Sequence, residues 1–164
     1  MFTKLRSWAI YEGPIREALI NMKFHQDFGI SEFLGSQLCQ LLSDLAWKFD
    51  MIIPVPLNPF RQKQRGYNQS YRLALPISLQ FQLPIVEKAL FRIRNTTSQA
   101  ELSRELRLTN LIDAFEADSR KVNKKTILLV DDIATTSSTI NACSTALLAR
   151  GADKVYGLTA ARTL

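Results

Sequence analysis

The residues best suited to chemistry are gathered in one string, Asp131-Asp132-Ile133-Ala134-Thr135-Thr136-Ser137-Ser138-Thr139. Two adjacent carboxylates are followed within a few positions by a run of hydroxyl side chains. The run Thr126–Val130 before it reads as a strand buried on both faces. After it, Ile140, Cys143, Ala146 and Leu147 recur at helical spacing, and Gly151 supplies a helix stop. The string is therefore predicted to be a polar turn, Asp131–Ser138, at the carboxyl edge of a sheet, where open parallel sheets bind ligands. A helix N-terminus offers unpaired N–H groups and partial positive charge, so it favours an anion. The hydroxyls add donors without bulk. The carboxylates suit sugar hydroxyls or a divalent metal bridged to them. One turn can thus hold a sugar through Asp131 and Asp132 and its phosphate through Thr135, Thr136, Ser137, Ser138 and Thr139. Both acids are expected to leave the strand end toward solvent.

The elements that position this string follow from periodicity. Lys154–Ala160 reads as a further strand, so strand, helix and strand form a βαβ unit with a parallel pair. Met51–Val55 is short and β-branched and runs into a loop at Pro54 and Pro56. Gly13-Pro14 opens a helix with Ile15, Ala18, Leu19 and Met22 on one stripe. Ser31 is expected to cap a second helix that buries Leu34, Leu38, Leu41, Leu42 and Leu45. A helix over Asn68–Phe81 must kink or break at Pro76. Residues 90–100 read as an exposed basic loop, followed by a helix over Glu101–Ile112. The fold class is α/β, a central mostly parallel sheet flanked by helices.

Composition narrows the setting. The 164 residues are 46% hydrophobic and 22% charged, ordinary globular usage for one domain, residues 1–164. No apolar run approaches the ~20 residues of a membrane-spanning helix, and no signal-peptide core is present, so a cytoplasmic protein without a membrane partner is expected. Cys39 and Cys143 are expected to be small buried residues, and no zinc is expected in this chain. Trp8, Trp47 and the nine phenylalanines read as core, and His25 as a surface or packing residue. The net charge is +6. Residues 58–110 carry 9 basic and 3 acidic groups, so the middle third holds the whole excess. A basic face points to an anionic partner, either a phosphorylated small molecule or nucleic acid.

The string Leu128 to Thr139 resembles the phosphoribosyl pyrophosphate-binding motif of type I phosphoribosyltransferases, with Ser137 where Gly is usual. More of the chain is similar to one branch, the ComF family (ComF/GntX). Ile52 to Ala74, including Arg65-Gly66-Tyr67-Asn68-Gln69, resembles its most distinctive segment. Leu90 to Phe115 resembles the next, and Tyr11-Glu12-Gly13 and Lys23-Phe24 resemble the start of its transferase-like domain. Many members carry an N-terminal four-cysteine zinc module, which has no counterpart in this sequence.

The resemblance implies a type I phosphoribosyltransferase-like fold and a set of roles. Asp131 and Asp132 contact the ribose hydroxyls and serve as the metal-side acids for Mg2+ brought with phosphoribosyl pyrophosphate. Thr135 to Thr139 hold the 5-phosphate. The loop Val55-Pro56-Leu57 holds pyrophosphate, and its prolines lack N–H donors. Arg61, Lys63 and Arg65 can supply charge there, with Arg65 foremost, or form a solvated helix end. The segment Arg92–Gln99 closes over substrate in this fold, with Arg94 and Gln99 as candidate pyrophosphate contacts, or is a plain surface loop. Purine-base transferases carry an acid three positions after the second aspartate; Thr135 stands there, against a purine acceptor.

Three functions follow from the resemblance. The first is a phosphoribosyltransferase with an unidentified nitrogen acceptor. The second is a non-catalytic protein of DNA uptake and natural transformation, with single-stranded DNA and competence proteins as partners. The third is a regulatory sensor of the sugar phosphate.

Overall fold

The computed structural model describes residues 2–25, 27–93 and 114–164. Four strands form a parallel sheet: β1 (Lys4–Ile10), β2 (Met51–Pro54), β5 (Thr126–Ala134) and β6 (Lys154–Arg162), in the order β1-β6-β5-β2. A second sheet pairs β3 (Leu90–Arg92) with β4 (Phe115–Ala117), antiparallel. The predicted mostly parallel sheet flanked by helices is the observed architecture.

Alternation along β2 and β5 divides the core between the two sheet faces. Ile53, Ile127 and Leu129 pack with Ile140, Cys143 and Leu147 of α6 (Ser138–Ala149) and with Leu90 and Phe115 of the small sheet. Ile52, Leu128 and Val130 pack on the other face against α1 (Gly13–Phe24), α2 (Phe28–Leu45) and α4 (Gln69–Phe81). Cys39 and Cys143 are both buried and free, as the composition suggested. A short α5 (Ser119–Val122) leads into β5.

Several local expectations are corrected. The cap of α2 is Asp27, whose carboxylate accepts from Ile30 N; Ser31 lies one turn inside and donates to Phe28 O. Pro76 does not break α4, which runs through it without interruption. The ring rests against Gly35 of α2, where a Cβ would sit 2.6 Å from Pro76 Cγ, so the missing side chain makes room for it. Leu90–Arg92 is a strand with Leu90 buried, not an exposed loop. Strand β1 was not anticipated, and of the helix α3 (Pro59–Arg65) only a solvated end at Arg61, Lys63 and Arg65 was expected. Five phenylalanines expected in the core are exposed: Phe24, Phe28, Phe33, Phe60 and Phe91. Helix α3 itself contains no buried residue.

Candidate functional site

Strand β5 runs four residues further than the sequence suggested, through Asp131 and Asp132 to Ala134. The acids are therefore strand residues rather than turn residues. They are also buried, at 7% and 5% exposure, which corrects the expectation that they face solvent. They are consecutive in the strand, and each is met by a different element. Ser70 Oγ, in the first turn of α4, donates to Asp131 Oδ1 at 2.9 Å, and the Asp132 N–H donates to the same oxygen at 2.9 Å. Asp132 Oδ2 forms an ion pair with Lys23 Nζ from the last turn of α1. Burial, followed by the adjacent Asp132 charge, pushes the Asp131 carboxyl up to about 8.

The segment Arg65-Gly66-Tyr67-Asn68-Gln69 builds the opposite wall, and each residue has a mechanical task. Gly66 ends α3 at φ 82°, a left-handed turn that glycine adopts without strain. Tyr67 Oη donates to Met22 O, anchoring the end of α1 beside Lys23. Asn68 caps α4 by accepting from Ser70 N at 3.0 Å and donates to Val55 O at 3.0 Å. It thereby ties the helix that carries Ser70 to the end of β2. Arg65 Nη1 donates to Gln69 Oε1 at 2.9 Å, and its guanidinium lies 5.2 Å from the Phe24 ring centroid.

Between these walls lies an open cleft of about 320 Å3. Asp131, Asp132, Thr135, Thr139, Pro56, Leu57 and Arg65, all chosen from sequence, line it together. Lys23, Ser70, Arg61 and Arg92 line it as well. Burial lowers the pKa of Arg65 and of Arg92, while the carboxylates of Asp132 and Asp131, respectively, oppose that shift. Thr136 Oγ1 and Ser138 Oγ pair with each other at 2.5 Å. Ser137 takes φ 56° at the N-cap of α6, makes no capping bond, and lines a neighbouring hollow with Arg6 and Arg162. Arg94 and Gln99 lie outside the described residues, as does the helix expected over 101–112.

Sequence reasoning missed Ser70 and Arg92 and gave Lys23 no role. Lys23 carried a signal in the Lys23-Phe24 match, and Ser70 lies within the resembling segment Ile52 to Ala74, but neither residue's type says what it will reach. Arg92 opens the segment 92–99 that was expected to close over substrate, but contacts were assigned there only to Arg94 and Gln99.

The arrangement can hold a polyhydroxylated anion, with carboxylates at one point, helix N–H groups and hydroxyls at another, and four cations around them. It is no protein cage for a metal. Among the described residues no group of three or more His, Cys, Asp or Glu side chains converges. Asp131 commits one oxygen to Ser70 and Asp132 commits one to Lys23. The remaining oxygens fit a hard cation such as Mg2+ only where a ligand supplies most of its coordination.

No family model matches the chain. Competence protein F of Haemophilus influenzae is 32% identical over 157 residues, covering 90% of this chain and 69% of that protein. The chain belongs to the ComF family. DNA utilization protein YhgH of Escherichia coli O157:H7, another relative, is 38% identical over 115 residues, 70% of this chain and 50% of that protein. The chain thus spans between half and about two-thirds of these relatives' lengths. Among solved structures, glutamine phosphoribosylpyrophosphate amidotransferase from B. subtilis superposes with a TM-score of 0.53 at 20% identity, over 79% of this chain and 26% of that one. The allosteric regulatory enzyme of purine biosynthesis gives 0.55 at 18%, over 80% and 26%. At these identities the likeness establishes the fold: this ComF chain has the phosphoribosyltransferase architecture. No described helix is long and apolar enough to cross a membrane.

Proposed function

We propose that this ComF chain binds phosphoribosyl pyrophosphate and transfers its phosphoribose to a nitrogen acceptor. The observation that carries the reading is the convergence of Asp131, Asp132, Thr135, Thr139, Pro56, Leu57 and Arg65 on one basic cleft. In this reading Asp131 and Asp132 accept from the ribose hydroxyls. Thr135, Thr136, Ser137, Ser138 and Thr139, with the first N–H groups of α6, hold the 5-phosphate. Pyrophosphate lies against Pro56 and Leu57. Because Pro54 and Pro56 give no N–H, the guanidinium of Arg65, with Arg92, supplies charge to it. Arg94 and Gln99 are proposed to add to that end. Mg2+ brought by the ligand would neutralise the leaving pyrophosphate beside the acid pair.

The nitrogen lone pair forms the bond to ribose C1 while the C1–O bond breaks toward pyrophosphate, and the nitrogen then releases a proton. Positive charge develops on the sugar in between, beside the Asp132 carboxylate, so preorganised electrostatics carry the rate. Calorimetric titration with phosphoribosyl pyrophosphate and Mg2+ tests the reading. Binding that is lost in Thr136→Val with Thr139→Val is expected; equal affinity of both proteins overturns it.

A second reading has specific support in the names of the relatives, competence and DNA utilization proteins. Here the chain acts in the cytoplasm in DNA uptake, with single-stranded DNA and competence proteins as partners. Salt-sensitive binding of single-stranded DNA without pyrophosphate release would favour it.

A further inference from the structure

A second hollow, of about 600 Å3, opens directly beside the cleft between α1 and α3. Tyr11, Lys23, Arg61 and Arg65 line both, so an occupant of one touches the walls of the other. The hollow adds Ile20, Phe24 and Gln64. Its chemistry differs from the cleft's in that no carboxylate lines it among the described residues.

The Phe24 ring is 66% exposed, unlike an ordinary core aromatic, and it is steadied by the Arg65 guanidinium on its face. Lys23 is already paired with Asp132. Arg61 has no ion-pair partner among the described residues. Helix α3 carries Arg61, Gln64 and Arg65 here while burying none of its own side chains, so its composition answers to the hollow rather than to the core. An apolar ring wall beside guanidinium groups matches a flat ring that bears a negative charge, since a carboxylate accepts paired N–H bonds from Arg. An amine cation meets no acid among the described lining residues.

We propose that this hollow is the acceptor subsite and that it takes a planar aromatic acid, a ring carrying both a nucleophilic nitrogen and a carboxylate. The proposal rests on the transferase reading above. The carboxylate is held by Arg61 and Gln64, the ring lies on Phe24 and Ile20, and the nitrogen faces the shared wall toward ribose C1. The bond made is N–C1, the bond broken is C1–O to pyrophosphate, which leaves with the electron pair, and one proton passes from nitrogen to solvent.

Two fluorescent probes of equal shape test this, 2-aminobenzoate and its uncharged amide, 2-aminobenzamide. Each is titrated by anisotropy into the protein held with phosphoribosyl pyrophosphate and Mg2+, whose own binding is measured first by calorimetry. The acid is expected to bind at least about tenfold more tightly than the amide, the size of one charge-assisted contact. Arg61→Gln should remove that preference; Arg61 is exposed, so the fold should tolerate the change. Phe24→Ala should weaken both probes. Equal affinities, no binding of either probe, or a preference that survives Arg61→Gln overturns the subsite while leaving the sugar-phosphate reading intact. Displacement of 2-aminobenzoate by a short oligothymidylate at equal concentration assigns the hollow to a polyanion and also overturns it. Absence of phosphoribosyl pyrophosphate binding overturns the underlying reading itself.

Discussion

Lys23, at the end of α1, forms an ion pair with Asp132, at the end of β5, and so joins two elements 109 positions apart in the chain at the candidate site. The two side chains are 20% and 7% exposed. Removing one partner from such a pair leaves a poorly solvated charge. Lys23→Met is expected to cost about 1–3 kcal/mol in urea denaturation, less than a fully buried pair because water reaches the ammonium. Adding Asp132→Asn should recover part of that loss. A double variant whose loss equals the sum of the single losses would mean that the pair does not couple.

Asp131 makes stability depend on pH. Burial, then the Asp132 charge, raises its folded value from the ordinary carboxylate range to about 8. For a carboxyl raised in this way, the unfolded chain releases its proton first as pH rises. Its contribution is present below the unfolded value and is lost progressively from about pH 4 to pH 8. The ligand-free protein should therefore be more stable at pH 5 than at pH 8, and Asp131→Asn should flatten that slope. Denaturation midpoints of both proteins at the two pH values check it, and parallel pH profiles would refute it.

Ser137 separates strain from contact. It holds φ 56° in the ligand-free protein, so the strain is present before any ligand arrives and cancels in binding. Ser137→Gly should stabilise the fold by about 0.5–1 kcal/mol. Its effect on phosphoribosyl pyrophosphate then reports the hydroxyl alone, and a loss of about tenfold or more is expected if the hydroxyl donates to phosphate. Calorimetry on both proteins decides; unchanged or tighter binding would leave the hydroxyl to the neighbouring hollow beside Arg6 and Arg162.

Both thiols should be inert in the folded protein. Burial pushes Cys39 up to about 11, and burial and then the Asp131 charge push Cys143 up too, so little thiolate is present near neutrality. Ellman's reagent at pH 8 is expected to titrate neither cysteine in the native state and both in urea. Rapid labelling of one native cysteine would show local opening around α2 or α6.

Much of this molecule was legible in its sequence where one physical signal acted alone. The apolar run before Asp131 and the periodic residues after it are enough for a strand, a turn and a helix. The Arg65–Gln69 segment and the acid pair likewise converge on one cleft. What could not be read depended on distant partners. Nothing local says that Ser70 will reach Asp131 or that Lys23 will reach Asp132, because those contacts exist only once α1 and α4 dock on the sheet. The same holds for Pro76, whose helix survives because Gly35 on another helix makes room. The exposed phenylalanines misled for the opposite reason, since composition favours burying them and only the folded surface shows where that fails.

Helix α3 buries none of its side chains, yet it forms one wall of both hollows. Substitutions on it therefore carry little folding penalty, whereas the acids of β5 are fixed in place by the sheet and by Ser70 and Lys23. The two halves of the site therefore respond differently to substitution. A change on α3 can alter what the hollows hold while the melting temperature stays put, whereas a change at Asp131 or Asp132 disturbs the fold and the cleft together.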